Sequence, residues 1–358
     1  MSRDLTAYGW TPALAAAFEP YGARGYQPGR VSLEHTHIYR VITAQDEVLA
    51  RVAGRLRHHA GTRADFPAVG DWVALEPSAH DGDARINAVL PRTSRFSRRA
   101  AGDATEEQVV AANIDTVFLV AGLDHDFNPR RLERYLIVAW ESGASPVIVL
   151  NKADLVEDAA ASVDAVRAFV TTVPVYAVSC RAPETLAPLG AHLGFGRTGA
   201  LLGSSGVGKS TIVNRLVGHD LLPTNDVRES DSRGRHTSSS RQLVLLPGGG
   251  LLIDTPGMRE LQLWDSGGWT ETFADITALA ESCRFRDCRH QGEPGCAVVT
   301  AVDAGSLPGG RLESYRKLAA EQAHSERQQD QRAIIEEKRK GRIGAKALRK
   351  HLKEKRQS

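Results

Sequence analysis

The stretch that most limits what this chain can fold into is GSSGVGKST, residues 203–211. Its spacing is Gly, four residues, Gly-Lys-Ser. An apolar run ends at Leu202, and Ile212, Val213, Leu216 and Val217 share one helical face until Gly218. Strand, glycine turn and helix therefore follow one another. The glycines let successive backbone N–H groups turn inward, and the helix aims its N-terminus at the same point, which makes a cradle for phosphate. Lys209 is expected to pair with β- and γ-phosphates and Ser210 to ligate Mg2+. Gly203, Ser204, Ser205, Gly206, Val207, Gly208 and Thr211 complete the turn. The plain alternative is a glycine-rich turn that caps a helix.

The flanking sequence fits an open α/β sheet. TVFLVAGL reads as a strand, NPRRLERYLIVAWESG as an amphipathic helix, SPVIVLNKAD as a strand, DAVRAFVTTV as a helix and PVYAVSC as a strand. The runs either side of Gly248–Gly250 read as a hairpin at the sheet edge. Asn151, Lys152, Ala153 and Asp154 follow an apolar strand, at the end where open sheets bind nucleotides. Asp154 suits the N1–H and exocyclic amine of guanine. Adenine has an acceptor and no amine there, so the carboxylate would be left unpaired. Asn151 would tie the segment to its neighbours, and the Lys152 stem would cover the base. Ser179 and Cys180 end the next strand, where the Cys180 backbone N–H is expected to contribute.

LLIDTPG places Asp254 at a strand end, suited to hold Mg2+, and Gly257 three residues on, with its N–H suited to a γ-phosphate. A long polar stretch precedes it, as expected of a switch that orders around phosphate and metal. Thr237 is the candidate Mg2+ ligand in that stretch, with Ser238 the alternative. Many GTPases place Gln after Asp-x-x-Gly to orient the attacking water. Met258 stands there instead, so intrinsic hydrolysis is expected to be slow or another group to act; His236 is the nearest candidate, with a purely structural histidine the alternative.

The base reader thus precedes the phosphate loop, a rotation of the usual GTPase order. Such a rotation is tolerated because domain termini often lie close together. PGRVSLEHTHIYRV, PAVGDWV, NIDTVFLV, NKAD, GSSGVGKST, GRHTSSS, IDTPG and a cysteine cluster occur in the order of a known family. The chain resembles the ribosome small-subunit-dependent GTPase A family, circularly permuted GTPases of bacterial small-subunit assembly. The resemblance implies an N-terminal OB-fold, a permuted P-loop GTPase domain and a small C-terminal helical zinc domain. It also implies GTP hydrolysis stimulated by the small ribosomal subunit, with that subunit and its rRNA as partners. Cys180 replaces the family's usual Ala, and Ser238 a common second Thr.

The expected domains are an arm over 1–35, a barrel over 36–100, the GTPase domain over 105–275, and a zinc domain with helices and a basic tail over 276–358. In the first, TPALAAAF reads as a short helix. In the second, IYRVITA, VLARVAGRL, DWVALEP and RINAVLP read as short strands of an OB-type barrel. Arg40, Arg51, Arg55, Arg57, Arg63, Arg92, Arg95, Arg98 and Arg99 give that segment a basic character suited to RNA, but aromatics that could stack on bases are few, Tyr39, Phe66, Trp72 and Phe96, and an ordinary solvated surface is the alternative. Cys283, Cys288, His290 and Cys296 offer three thiolates and one imidazole, which suit a closed, structural Zn2+ site. Three free thiols and a surface His are the alternative.

Residues 338–358 contain ten Lys/Arg and one acid, a net +9, so the other 337 residues carry −7 of the total +2. A basic tail on an acidic body suits a polyanion, with a solvated, partly helical terminus that has no partner as the alternative. No apolar run is long enough for a membrane span and no leader pattern opens the chain, so a cytoplasmic monomer without a membrane partner is expected. Two other functions stay open. One is a P-loop kinase or ATPase, to be separated by ATP competition. The other is a GTP-binding module without turnover, or an NTPase with a different RNA partner.

Overall fold

The computed structural model describes residues 3–35, 37–77, 82–100, 103–124, 127–170, 172–222, 241–254, 268–324 and 327. The chain divides into two compact units, Met1–Asp275 and Ile276–Ser358.

The first unit opens with helix α1 (Pro12–Gly22). Thr11 starts it by accepting from the Leu14 N–H, with Pro12 in the first turn. Strands β1 (Gln27–His35), β2 (Ile38–Thr43) and β3 (Glu47–Val52), helix α2 (Gly54–His59), and strands β4 (Trp72–Glu76) and β5 (Ala84–Val89) follow. Pairing runs β1–β2–β3–β5–β4 and returns to β1, which closes a five-stranded barrel. Val31, Tyr39, Val41, Val73, Leu75 and Ile86 fill it. A Cβ on Gly29 would lie 2.6 Å from Val41 Cγ1 and 2.8 Å from Leu75 Cδ1, so only glycine fits there. The barrel type agrees with the sequence, but β1 lies in the stretch read as an arm. Its Pro28-Gly29 start resembles a turn, although proline is acceptable in the first residues of a strand. Tyr39, Trp72 and Phe96 are 1–2% exposed. They are core residues and cannot stack on bases, which corrects that expectation.

Strands β6 (Arg95–Ala100) and β7 (Asp103–Ala112) form a separate two-stranded ribbon. Ser97 donates to Glu107 at 2.6 Å, and Arg95 pairs with the same carboxylate at 3.6 Å.

The nucleotide-type sheet contains β8 (Thr116–Gly122), helix α3 (Pro129–Ser142), β9 (Ser145–Asn151), α4 (Ala159–Arg167), β10 (Val175–Ala177), α5 (Ala187–Ala191), β11 (Thr198–Gly203), α6 (Lys209–Val217), β12 (Gln242–Leu245) and β13 (Leu251–Asp254). Strands β10, β9, β8, β11 and β13 are parallel neighbours in that order. Their side chains alternate between two cores. Val117, Leu119, Ile148 and Leu150 pack with Leu132 and Leu136 of α3 and Val163 and Val166 of α4. Phe118, Val120, Val147 and Val149 pack with Ile212, Val213 and Val217 of α6. Such burial on both faces is why these strands read as unbroken apolar runs.

The β12–β13 hairpin forms as expected, but it is not a sheet edge. Gln242 pairs with Leu33 of β1, so barrel and nucleotide sheet are continuous. Arg30 of β1 strengthens this junction from inside. It is 1% exposed. Its guanidinium donates to the carbonyls of Gly70 (3.2 Å), Asn113 (3.1 Å) and Tyr8, and to Thr198 Oγ1 of β11 (2.9 Å). Burial lowers its pKa to about 10, opposed by the nearby carboxylates of Asp115 and Asp71.

Helices α7 (Trp269–Thr272) and α8 (Ala274–Ala280) follow. The second unit adds α9 (Ala297–Asp303) and α10 (residues 309–324). The basic tail beyond residue 338 lies outside the described residues.

Candidate nucleotide site and metal centre

Parallel strands bring the motif residues together at one edge. Asn151 closes β9 opposite Gly122 of β8, and Gly203 closes β11 opposite Val120 of β8. Asp254 closes β13, the parallel neighbour of β11 on its other side. Chain order therefore has no bearing on which loops meet.

The phosphate loop is shaped by its glycines and by contacts from outside. Gly206 and Gly208 have φ of +78° and +93°, the left-handed region that other residues enter at a cost. A Cβ on Gly203 would lie 2.3 Å from the Val120 carbonyl oxygen, and one on Gly208 would lie 2.2 Å from Asn151 Nδ2. Asn151 Nδ2 donates to the Val207 carbonyl at 2.8 Å. The expected tie between the base reader and its neighbours is thus a hydrogen bond to the phosphate loop itself.

Ser205 and Gly206 are exposed at the tip of the loop, and Val207 is buried beneath it. Lys209 Nζ donates to the carbonyls of Gly203 (2.8 Å) and Ser204 (2.6 Å). Ser210 and Thr211 are half-buried in the first turn of α6.

At the base end, Asp154 Oδ1 accepts from Ser179 Oγ at 2.5 Å, and Oδ2 pairs with Arg181 Nη1 at 3.2 Å. The Ser179 hydroxyl, foremost, holds the Asp154 carboxyl below its usual pKa, with the charges of Arg181 and Lys152 acting in the same direction. Lys152 has φ +64° and pairs with Asp124 at 2.7 Å. The Ala153 N–H donates to the Val178 carbonyl at 3.0 Å, which joins this turn to the end of β10. Cys180 Sγ lies 3.7 Å from Asn151 Oδ1, and burial raises its thiol pKa, so it is a neutral thiol.

His236, Thr237, Ser238, Gly257 and Met258 lie outside the described residues. Asp254 is placed by its backbone alone. Sequence reading missed Arg131, Tyr135 and Arg181. Arg131 Nη1 donates to Ser204 Oγ at 2.8 Å, and the Tyr135 hydroxyl lies 3.3 Å from the same oxygen. No motif announces a helix side chain that reaches a loop some 70 residues away. Arg181 could have been noticed as the residue after Ser179-Cys180.

In the second unit, the donor atoms of Cys283, Cys288, His290 and Cys296 all lie within 4.8 Å of one another. Cys283 and Cys296 sulfurs are 3.9 Å apart, and His290 Nδ1 is 3.7 Å and 3.4 Å from them. Tetrahedral zinc with ordinary bond lengths needs S···S of about 3.8 Å and S···N of about 3.6 Å. The donor set fits. His290 takes φ +57°, its carbonyl accepts from Arg316, and Cys296 starts α9 by accepting from the Val299 N–H at 3.5 Å.

The family model described as RsgA GTPase matches residues 89–264. The small ribosomal subunit biogenesis GTPase RsgA of Opitutus terrae is 50% identical over 336 residues, covering 91% of this chain and 92% of that relative. Crystal structures of YjeQ from Thermotoga maritima (TM-score 0.63, 25% identity) and of YloQ, a circularly permuted GTPase (TM-score 0.58, 24% identity), each cover 83% of this chain, and the match spans 98% and 94% of theirs. With NKAD ahead of GSSGVGKST and a relative half identical across nine-tenths of its length, the chain belongs to the RsgA family of circularly permuted GTPases.

Proposed function

We propose that this chain hydrolyses GTP to GDP and phosphate during biogenesis of the small ribosomal subunit. The observation that carries the reading is the 2.8 Å bond from Asn151 to Val207. It ties the turn that would read guanine to the loop that would hold the phosphates. Asp154 would accept from guanine N1–H and the amine, with Ser179 steadying the carboxylate. The Lys152 stem would cover the base, and the Cys180 N–H would add a donor. Backbone N–H groups of residues 204–210 and the Lys209 ammonium would meet the charge that develops on the phosphate oxygens. Ser210, Thr237 and Asp254 would hold Mg2+, which would supply neutralisation of phosphate charge. Ser210 and the end of β13 flank the loop in keeping with that role. The Gly257 N–H would bond the γ-phosphate, and His236 would orient the attacking water in place of the missing Gln.

Small subunits would stimulate turnover, and hydrolysis would release the protein from them. Exposed Arg51, Arg55, Arg57 and Arg63 of the barrel would contact rRNA phosphates, joined by the basic tail. Cys283, Cys288, His290 and Cys296 would hold one structural Zn2+. The protein would act as a cytoplasmic monomer.

The test is phosphate release from GTP and from ATP, with and without purified small subunits, and with Lys209→Ala as the blank. The expected result is slow turnover of GTP alone that rises many-fold with subunits. Equal turnover of ATP, or no response to subunits, would overturn the reading.

A further inference from the structure

We propose that Arg131 is a positioning residue of the nucleotide site: from the first turn of α3 it fixes the phosphate loop through Ser204 and sets a positive charge beside the phosphates. The inference rests on the nucleotide-binding role proposed above and adds a residue that no loop motif contains.

Six residues separate the end of β8 from the start of helix α3, and β8 runs parallel to β11, with Val120 opposite Gly203. The start of α3 is therefore beside the loop. Asn128 caps the helix by accepting from the Arg130 N–H at 3.0 Å, and Pro129 sets the first turn. This fixes the direction of Arg131 and of Tyr135, four residues on and on the same face. The Ser204 hydroxyl accepts from Arg131 and lies against the Tyr135 oxygen. It is engaged with α3, so the loop offers phosphates the Ser204 backbone, not its side chain.

The loop then has three anchors outside itself. Gly203 is pressed against the Val120 carbonyl, Ser204 is held by Arg131, and Val207 is held by Asn151. Lys209 also grips the Gly203 and Ser204 carbonyls. Once its ammonium turns to a phosphate, Ser204 depends on Arg131 and Tyr135. A loop that keeps its shape through that exchange loses less order on binding.

Charge supports the same role. The first two turns of α3 carry Arg130, Arg131 and Arg134 against one acid, the buried Glu133, and the first turn itself has no acid. Cations at a helix N-terminus oppose its dipole. A triphosphate in the adjoining loop is an anion that would offset this opposition. A solvated surface arginine would not need to be hydrogen-bonded to the loop.

The test measures GDP and GTPγS affinity by calorimetry for the wild type, Arg131→Ala, Arg131→Lys, Ser204→Ala and the double variant, with KM and kcat for GTP. Arg131→Ala should weaken both nucleotides by about tenfold, the scale of one charge-assisted hydrogen bond. KM should rise more than kcat falls, and the unfolding midpoint should not move. Lysine should recover part of the loss. Arg131→Ala should cost less in the Ser204→Ala background than alone, because the shared bond is already gone. Unchanged affinity in Arg131→Ala, or effects that simply multiply, would overturn the proposal. Binding is read apart from turnover, so a wild type that binds GDP and hydrolyses no GTP would sink the GTPase reading while the affinity series still decided on Arg131.

Discussion

Asn151 and Val207 are joined by a 2.8 Å hydrogen bond from side-chain amide to backbone carbonyl, although 56 residues separate them. The bond is buried, and Asn151 itself is 2% exposed. Asn151→Ala leaves the Val207 carbonyl without that donor, at a cost of about 1–3 kcal/mol. GDP and GTP affinity should fall together, by about tenfold or more. Asn151→Asp should be worse than alanine, because it sets a carboxylate against a carbonyl oxygen. Calorimetry with both nucleotides checks this, and a loss confined to GTP would show that the bond serves the γ-phosphate only.

The two left-handed glycines of the loop should respond differently to the same change. At Gly206 an added Cβ meets nothing within 4 Å, so Gly206→Ala carries backbone strain alone, about 1–2 kcal/mol. At Gly208 the Cβ would lie 2.2 Å from Asn151 Nδ2 as well. Gly208→Ala must therefore break the Asn151–Val207 bond or shift the loop. It should abolish measurable nucleotide binding, whereas Gly206→Ala retains weakened binding. Similar affinities for the two variants would argue against the Asn151 contact as the difference.

These contrasts show what the sequence could and could not convey. Motifs at strand ends were legible because each needs a fixed residue type beside a backbone of known shape. The parallel sheet was legible because its strands are apolar on both faces and alternate with helices. Arg30 was not, because nothing local distinguishes a buried arginine from a solvated one. Its partners come from Tyr8, Gly70, Asn113 and Thr198, which only the fold assembles. The same holds for Arg131 and Ser204. Strand β1 was hidden by Pro28-Gly29 and by polar residues, Arg30 and Ser32, that are buried. The merged sheet was hidden because one pairing, Leu33 with Gln242, joins segments 209 residues apart.

Asp154 should set both base choice and its pH range. Guanine presents two donors to the carboxylate, and xanthine presents one donor and one carbonyl. Asp154→Asn should therefore weaken GTP by 100-fold or more, on the order of two lost hydrogen bonds to a charged group, and improve XTP relative to GTP. The carboxyl pKa is lowered from 3.8, chiefly by Ser179. A lowered carboxyl pKa preserves the ionised form above it and is lost only as pH falls through the lowered value. Guanine preference over adenine, whose base does not titrate in this range, should hold constant between pH 8 and about 5. Ser179→Ala should move the acid limit upward. A preference that already declines at pH 6 would mean that another group governs it.

Arg30 should matter for stability more than for chemistry. Arg30→Ala removes donors from three carbonyls and the Thr198 hydroxyl and leaves a cavity under Trp72, whose ring centroid is 5.8 Å from the guanidinium carbon. The expected loss is about 3–5 kcal/mol. Arg30→Lys keeps the charge but cannot reach all four acceptors, so it should lose roughly half as much. Urea unfolding gives the values. Because Arg30 joins β1 to β11, barrel and nucleotide sheet should unfold in one transition in the wild type and in two in Arg30→Ala. A loss below about 1 kcal/mol would show that water replaces these bonds readily.

Cys296 should decide whether the second unit is built on a metal. It is 3% exposed, starts α9, and lies 3.4 Å from His290 Nδ1. Serine there supplies an alcohol that is a poor zinc ligand at neutral pH, and it leaves three donors, a set that binds zinc more weakly. Elemental analysis should find about one zinc per wild-type chain and far less in Cys296→Ser. If the metal replaces a core, amide exchange should speed across residues 283–303 in the variant and in chelator-treated wild type. GDP affinity, read in the same samples, reports whether the phosphate loop remains folded. Wild-type protein that carries no zinc, or exchange that does not change when zinc is removed, would leave the four residues as free thiols and a histidine held by packing alone.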